Sequence, residues 1–214
     1  MPEIIQIATQ AAKAGAKVLN VGAGHNPLPD MDNLDRDPDI PGLAFAGDVR
    51  ALWNPNEFGA HAGNLHQIPD GSYDYVVAMH MIEHVEWIYQ ISLLQLFCQW
   101  LNPRGTVLLE TPNFAYAISH YTKRRLQDKF PLTDHPDIKT RDDPVALQRW
   151  INFKLFSGCS TGDYHHCAYD KTLLQYNMEE AGFGHIRIAS KEILVAIGQP
   201  APPDGEETVD YEFV

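Results

Sequence analysis

Apolar positions in this chain change period several times, and each change marks a predicted element. Ile4, Ile5, Ala8, Ala11 and Ala12 return at helical spacing behind Pro2, a residue suited to a first helical turn, and Gly15 ends the run. This predicts a short amphipathic helix. From Ala16 to Val21 the chain is largely apolar and stops at Gly22, the pattern of a buried strand entering a tight turn. Tyr73 to Met79 and Thr106 to Glu110 are two more β-rich runs. Between them Ile88, Ile91, Leu94, Cys98 and Leu101 mark one helical face, and Asn102-Pro103-Arg104-Gly105 reads as the turn into the next strand. Lys171 to Ala181 is predicted helical with Gly182 as its stop, and strands are predicted over Phe183 to Ala189 and Glu192 to Ile197.

Strands alternating with helices in this way predict an α/β domain with a mostly parallel sheet covered on both faces. Residues 114–165 break the pattern, since FAYAISHYTKRRLQDKF and ALQRWINFKLF look like helices joined by a Pro- and Asp-rich stretch. They are expected to form a cap over the carboxyl ends of the strands, where open parallel sheets bind ligands. Tyr116, Tyr121, Trp150, Phe153, Phe156 and Tyr164 would give that cap an aromatic lining, or at helical spacing its own core. Residues 1–198 thus read as one domain and residues 199–214 as an acidic, Pro-rich tail that frays.

Charge narrows the partners. A formal net charge of −12 over 214 residues argues against binding to a nucleic-acid backbone, which needs clustered cations. Lys123, Arg124 and Arg125, with Asp128 close behind, read as a solvated helix face. The first residues carry an acid at Glu3 and no apolar core of signal-peptide length, and no stretch is long enough to span a bilayer, so a cytoplasmic protein is expected. Cys98, Cys159 and Cys167 are odd in number and widely spread, which points to neither a disulfide framework nor a structural zinc site.

Gly22-Ala23-Gly24 lets backbone approach a ligand closely. The dinucleotide fingerprint, however, needs a third glycine and an immediate helix, and His25-Asn26-Pro27-Leu28-Pro29 prevents that helix. Without a helix N-terminus the usual anion site is lost, so a ligand without phosphates fits better. Asp35 and Asp48 each end a short segment where strands can emerge beside the glycine loop. They are turn formers or caps on one reading. On another, one carboxylate accepts both hydroxyls of a ribose and a second polar side chain meets an adenine amine, a role for which Asn64 competes with Asp48. His80-Met81-Ile82-Glu83-His84 fits the H-x-x-E-H pattern of zinc hydrolases, in which two histidines on one helix bind metal and the Glu activates water. The strand predicted up to Met79 leads straight into His80, which opposes a single helix carrying both histidines, and no metal is expected.

In order along the chain, VLNVGAG, NLD, GDV or GNLHQIP, GSYDYVVAMHMIEHV, LNPRGTVLLETPN and HHCAYDKTLLQYNMEEAGF resemble the successive motifs of class I S-adenosylmethionine-dependent methyltransferases of the type 11 group. The resemblance covers roughly residues 16 to 113 and 157 to 198. It implies a Rossmann-like, seven-stranded, mostly parallel sheet with helices on both faces, and S-adenosylmethionine as cofactor. Gly22, Ala23 and Gly24 would line the methionine part, and Asp35 with Arg36 the ribose. Asp48 with Val49, or Asn64 with Leu65, would flank adenine, and Met79 and His80 would stand at the end of the fourth strand. For a hydroxyl acceptor a general base helps; His165 comes first, then His166, His120 and His80. The strand end AMHMIEH lacks the Asn- or Asp-Pro-Pro-aromatic signature of nucleobase amine methylation. The expected acceptor is therefore a small molecule, a sugar or other metabolite methylated on oxygen or nitrogen. A non-catalytic cofactor-binding partner protein and a zinc hydrolase using His80, Glu83 and His84 are the competing readings. The oligomeric state is not legible.

Overall fold

Four buried residues, Val18–Val21, form β1, the strand on which the rest is aligned. Helix α1 (Glu3–Lys13) precedes it, and β2 (Asp32–Asp35) and β3 (Phe45–Ala46) follow. Next come β4 (Tyr73–Met79), α2 (Gln90–Trp100), β5 (Leu101–Pro112), α3 (Phe114–Thr122), α4 (Lys171–Glu180), β6 (Phe183–Ser190) and β7 (Ile193–Pro200). This computed structural model describes residues 3–25, 27–54, 56, 59–122, 165–191 and 193–201. The strands make one seven-stranded sheet in the order β3-β2-β1-β4-β5-β7-β6. β1, β2, β3, β4 and β5 pair in parallel, and β7 lies antiparallel between β5 and β6. The α/β, mostly parallel sheet expected from the alternation, and the Rossmann-like form implied by the resemblance, are thus the fold.

Period-2 alternation distributes each strand between two cores. On one face Leu19, Val21, Val76, Ala78, Val107 and Leu109 meet α2 and α4 through Leu93, Leu94, Phe97, Leu174 and Met178. On the other, Val18, Val77 and Leu108 meet Ile4 and Ala8 of α1. Two expectations are corrected. The buried stripe of α2 is Leu93, Leu94, Phe97 and Trp100, while Ile88 lies before the helix and is 55% exposed. The segment Asn102-Pro103-Arg104-Gly105 does not separate helix from strand. It bulges within β5, where Tyr73 pairs with Leu101 and Tyr75 with Thr106. The bulge is tied to β4 because Asn102 Nδ2 donates to Asp74 at 2.8 Å, while its Oδ1 accepts from the Arg104 amide. The first piece of the expected cap is helix α3. The remainder, with Lys123, Arg124, Arg125, Trp150, Phe153, Phe156 and Tyr164, lies outside the described residues, as does the tail beyond residue 201. Among the described residues no helix is long and apolar enough to cross a membrane.

The β1–β2 crossover is unusually short and contains no helix among its described residues. Buried Asn33 holds it instead. Its Oδ1 accepts from Asn20 Nδ2 and from the Leu28 amide, both at 2.9 Å, and its Nδ2 donates to the carbonyls of Leu28 at 2.9 Å and Met31 at 3.1 Å. All four hydrogen-bonding positions of the amide are used.

Phe97→Ala is expected to cost about 3–5 kcal/mol in urea unfolding, against under about 0.5 kcal/mol for Ile88→Ala; equal losses would mean that the buried face of α2 is assigned wrongly. Asn33→Leu, similar in volume, is expected to cost more than about 2 kcal/mol because it orphans several polar groups of the crossover together. A stability change near zero would show that the crossover holds itself.

Candidate active site

The carboxyl ends of β1, β2 and β4 open on a cleft of about 210 Å³, lined by Gly22, Gly24, Leu34, Asp35, Arg36, Gly47, Asp48, Val49, His80, Met81, His84 and Val85. Its floor is the glycine loop. Gly22 and Gly24 have φ of +74° and +60°, in the region that glycine tolerates best. A Cβ on Gly22 would come within 2.6 Å of Met81 Cγ, so this position also has no room for a side chain. The loop's amides turn back onto β2: those of Gly22 and Ala23 donate to the Leu34 carbonyl at 2.9 and 3.0 Å, and that of Gly24 donates to Asp35 Oδ2 at 2.8 Å. Amides already engaged in this way cannot cradle a phosphate, which gives a structural basis for preferring a phosphate-free ligand.

Asp35 accepts one further bond, from the Asp37 amide to Oδ1 at 3.1 Å. A carboxylate has about four acceptor positions. Asp35 therefore keeps capacity for two more donors, at the rim of the cleft.

Asp48 differs. It caps the 3-10 turn Val49–Leu52 and is gripped by Arg50, whose Nη2 lies 2.6 Å from Oδ2 and whose Nε and backbone amide each lie 3.0 Å from Oδ1. Arg50 Nη1 reaches Glu86 at 2.8 Å. Burial works to raise the Asp48 pKa, but the Arg50 hydrogen bonds and charge, with Arg36 beyond, outweigh it and hold the carboxyl below its ordinary value. Asn64 is spent on backbone as well, accepting from the Ala46 amide at 2.7 Å and donating to the Ala44 carbonyl at 3.2 Å. Of the two registers considered for adenine, Asp48 and Val49 line the cleft, whereas Asn64 and Leu65 do not. Ala23 and Met79 are also absent from the lining, Met79 packing toward the α1 face.

β4 ends at Met79, and His80 turns the chain with φ +49°. Ile82–His84 then forms a single 3-10 turn, so His80 and His84 do not share the helix that an H-x-x-E-H zinc hydrolase needs. His80 stands between two buried acids, its Nδ1 3.3 Å from Glu83 Oε1 and its Nε2 3.1 Å from Glu110 Oε1. Thr111 donates to Glu83 Oε2 at 3.1 Å. The His84 ring meets His165 edge-on at 4.7 Å. His166 is exposed, and of His120 and Tyr121 only the helical backbone is described.

Gln90, a residue that sequence reasoning missed, locks this wall. Its buried amide donates to the carbonyls of Ile82, at 2.7 Å, and Val85, and accepts from Tyr169. Burial raises the Tyr169 phenol well above its ordinary pKa and keeps it a donor. The amides of His166 and Cys167 donate to the Glu83 carbonyl at 2.7 and 3.1 Å, so the segment carrying His165 is fastened to the turn carrying His84. Arg50, Glu86 and Met81 were also missed. Glu86 and Met81 act through partners distant in sequence, and Arg50 joins its near neighbour Asp48 to the distant Glu86.

A family model described as a methyltransferase domain matches residues 2–187. No curated protein sequence matches. Among solved structures, a SAM-dependent methyltransferase of Thermotoga maritima, described as a possible histamine N-methyltransferase, is 12% identical with a TM-score of 0.52, over 90% of this chain and 87% of that one. A SAM-dependent methyltransferase of Archaeoglobus fulgidus is 13% identical with a TM-score of 0.49, over 91% and 93%. The CurJ carbon methyltransferase is 14% identical with a TM-score of 0.47, over 87% of this chain, which spans 49% of that protein's length.

Arg50→Met leaves Asp48 and Glu86 without their guanidinium and is expected to destabilise the protein at pH 7. Because the folded Asp48 pKa is depressed, its contribution is complete above the unfolded carboxylate value, about 3.9, and fades as pH falls through the lower folded value. Urea unfolding should thus show the gap between wild type and variant closing in acid. A gap independent of pH would show that Arg50 acts through packing alone.

Proposed function

The chain belongs to the methyltransferase-domain family, with the class I fold and S-adenosylmethionine as cofactor, and from that premise we propose that it methylates the oxygen or nitrogen of a small-molecule acceptor, such as a sugar or other metabolite. The observation that carries this reading is the partly occupied carboxylate of Asp35 beside a glycine loop whose amides face β2. The donor set fits the cofactor. Asp35 has two acceptor positions for the vicinal hydroxyls of a ribose, Leu34 and Val49 give apolar flanks for a flat ring, and the loop offers no phosphate cradle. Asp48 serves this site through its grip on Arg50, which fixes the Val49 backbone, rather than as a free acceptor for an amine.

The bound cofactor supplies an electrophilic methyl group on a sulfonium. The protein's part is to place a nucleophile in line behind it, about 3–3.5 Å away, and to exclude water. His80, Met81, His84 and Val85 wall the side on which an acceptor would stand. His80 directs its two ring nitrogens at Glu83 and Glu110, so His165, edge-on to His84, is the better base for the proton of a hydroxyl acceptor. The net charge of −12 favours a small acceptor over a nucleic acid.

Calorimetry should show saturable binding of S-adenosylhomocysteine, weakened about 10- to 100-fold in Asp35→Ala, where bonds worth about 1–3 kcal/mol are lost. Gly22→Val should abolish it through collision with Met81. Incubation of the protein and radiolabelled cofactor with a cell extract should then label the low-molecular-weight fraction. Label confined to macromolecules would refute the small-molecule reading, and tight cofactor binding with no transfer at all would favour a non-catalytic partner protein.

A further inference from the structure

The same wall carries a second arrangement that methyl transfer alone does not require. Glu83, His84 and His165 each offer a ligand atom, and the three atoms lie within 4.8 Å of one another. Two imidazoles and one carboxylate form a donor set suited to first-row divalent cations, with positions left open for a substrate oxygen. Bond lengths of about 2.0–2.2 Å put three ligand atoms on one ion about 3–3.8 Å apart, so these side chains, already within 4.8 Å of one another, need close by no more than about 1–2 Å.

The surroundings are built for such a load. Glu83 is 1% exposed and Glu110 is 3% exposed, and among the described residues their ion pairs are with the His80 ring, not with a Lys or Arg. Buried carboxylates are ordinarily paired with a full charge or bound to metal. Thr111 and His80 orient the Glu83 carboxylate in the manner of the outer partners that position metal ligands. The His166 and Cys167 amides on the Glu83 carbonyl, with Gln90 bridging to Tyr169, hold the segment of His165 beside the 3-10 turn of Glu83 and His84 before any ion arrives.

We propose that Glu83, His84 and His165 form a binding site for one first-row divalent cation in the wall of the cleft. The site stands on its own geometry; its use rests on the methyl-transfer reading. An acceptor hydroxyl bound to the cation would give its proton to water and direct its oxygen lone pair at the methyl carbon. The C–S bond would break with its electrons returning to sulfur. His165 is then a ligand rather than the base.

The test uses full-length protein without a polyhistidine tag, titrated with Mn2+ and followed by the electron paramagnetic resonance of free Mn2+, with Zn2+ as competitor. One Mn2+ per chain is expected, displaced by Zn2+ and weakened at least about 10-fold in both His84→Ala and His165→Ala. S-adenosylhomocysteine binding, measured separately by calorimetry, should persist in His165→Ala. If His84→Ala fails to fold, His165→Ala decides, since it alters neither helix nor strand. No binding of millimolar Mn2+ or Zn2+ by the wild type, or unchanged binding in His165→Ala, overturns the cation site and leaves His165 as the base. Cation binding without S-adenosylhomocysteine binding would refute the methyl-transfer reading while the cation site stands.

Discussion

The glycine-loop half of the cleft depends on one buried amide. Two adjacent parallel strands ordinarily need a crossover long enough to hold a helix. Between β1 and β2 the chain has no room for one, and Asn33 takes over by binding the crossover at Leu28 and Met31 and bracing β1 through Asn20. A net hydrogen bond contributes about 0.5–1.5 kcal/mol, but a buried partner left without one costs about 1–3 kcal/mol. The amide therefore matters most for what its loss would expose. Its register delivers Leu34 and Asp35 to the glycine loop, and every polar contact of that loop follows from this placement.

The wall formed by the turn after β4 is assembled differently, by a chain of side chains running from α2 to the segment before α4. Gln90 is the junction: it fixes the backbone of the turn carrying Glu83 and His84 and receives the phenol of Tyr169. The turn is too short to hold itself, with one 3-10 turn between β4 and Val85. Packing of α2 on the sheet through Leu93, Leu94, Phe97 and Trp100 thus supports the local chemistry as well as the core.

Much of the sheet was legible because its strands obey a simple rule. YDYVVAM begins after a glycine turn and is a β-rich run with a buried centre, Val76 to Ala78, so β4 is legible to the residue. α2 misled for the opposite reason. QISLLQLFCQW is apolar on more than one side, so two stripes compete in sequence and only the sheet decides between them. At Asn102-Pro103-Arg104-Gly105 the turn residues make a bulge within β5, and a tertiary bond to Asp74 ties it to β4. Asp35, Asp48 and His80 could be named from their positions at strand ends. Nothing local distinguishes Asn33 from an ordinary polar residue, or tells that Arg50 would saturate Asp48. Glu83 and His84 stood out as part of a motif, but the motif pointed to one helix. Their neighbour His165 comes from far along the chain and only the fold unites them.

The inward-turned amides of Gly22, Ala23 and Gly24 also bear on competition among metabolites. Adenosine triphosphate carries the same adenosine as the cofactor proposed for this cleft, and a site that recognised adenosine alone would be open to it. A loop that has already spent its N–H groups on Leu34 and on the Asp35 carboxylate offers a polyphosphate no free backbone donor and sets a negative charge beside it, which disfavours such a ligand.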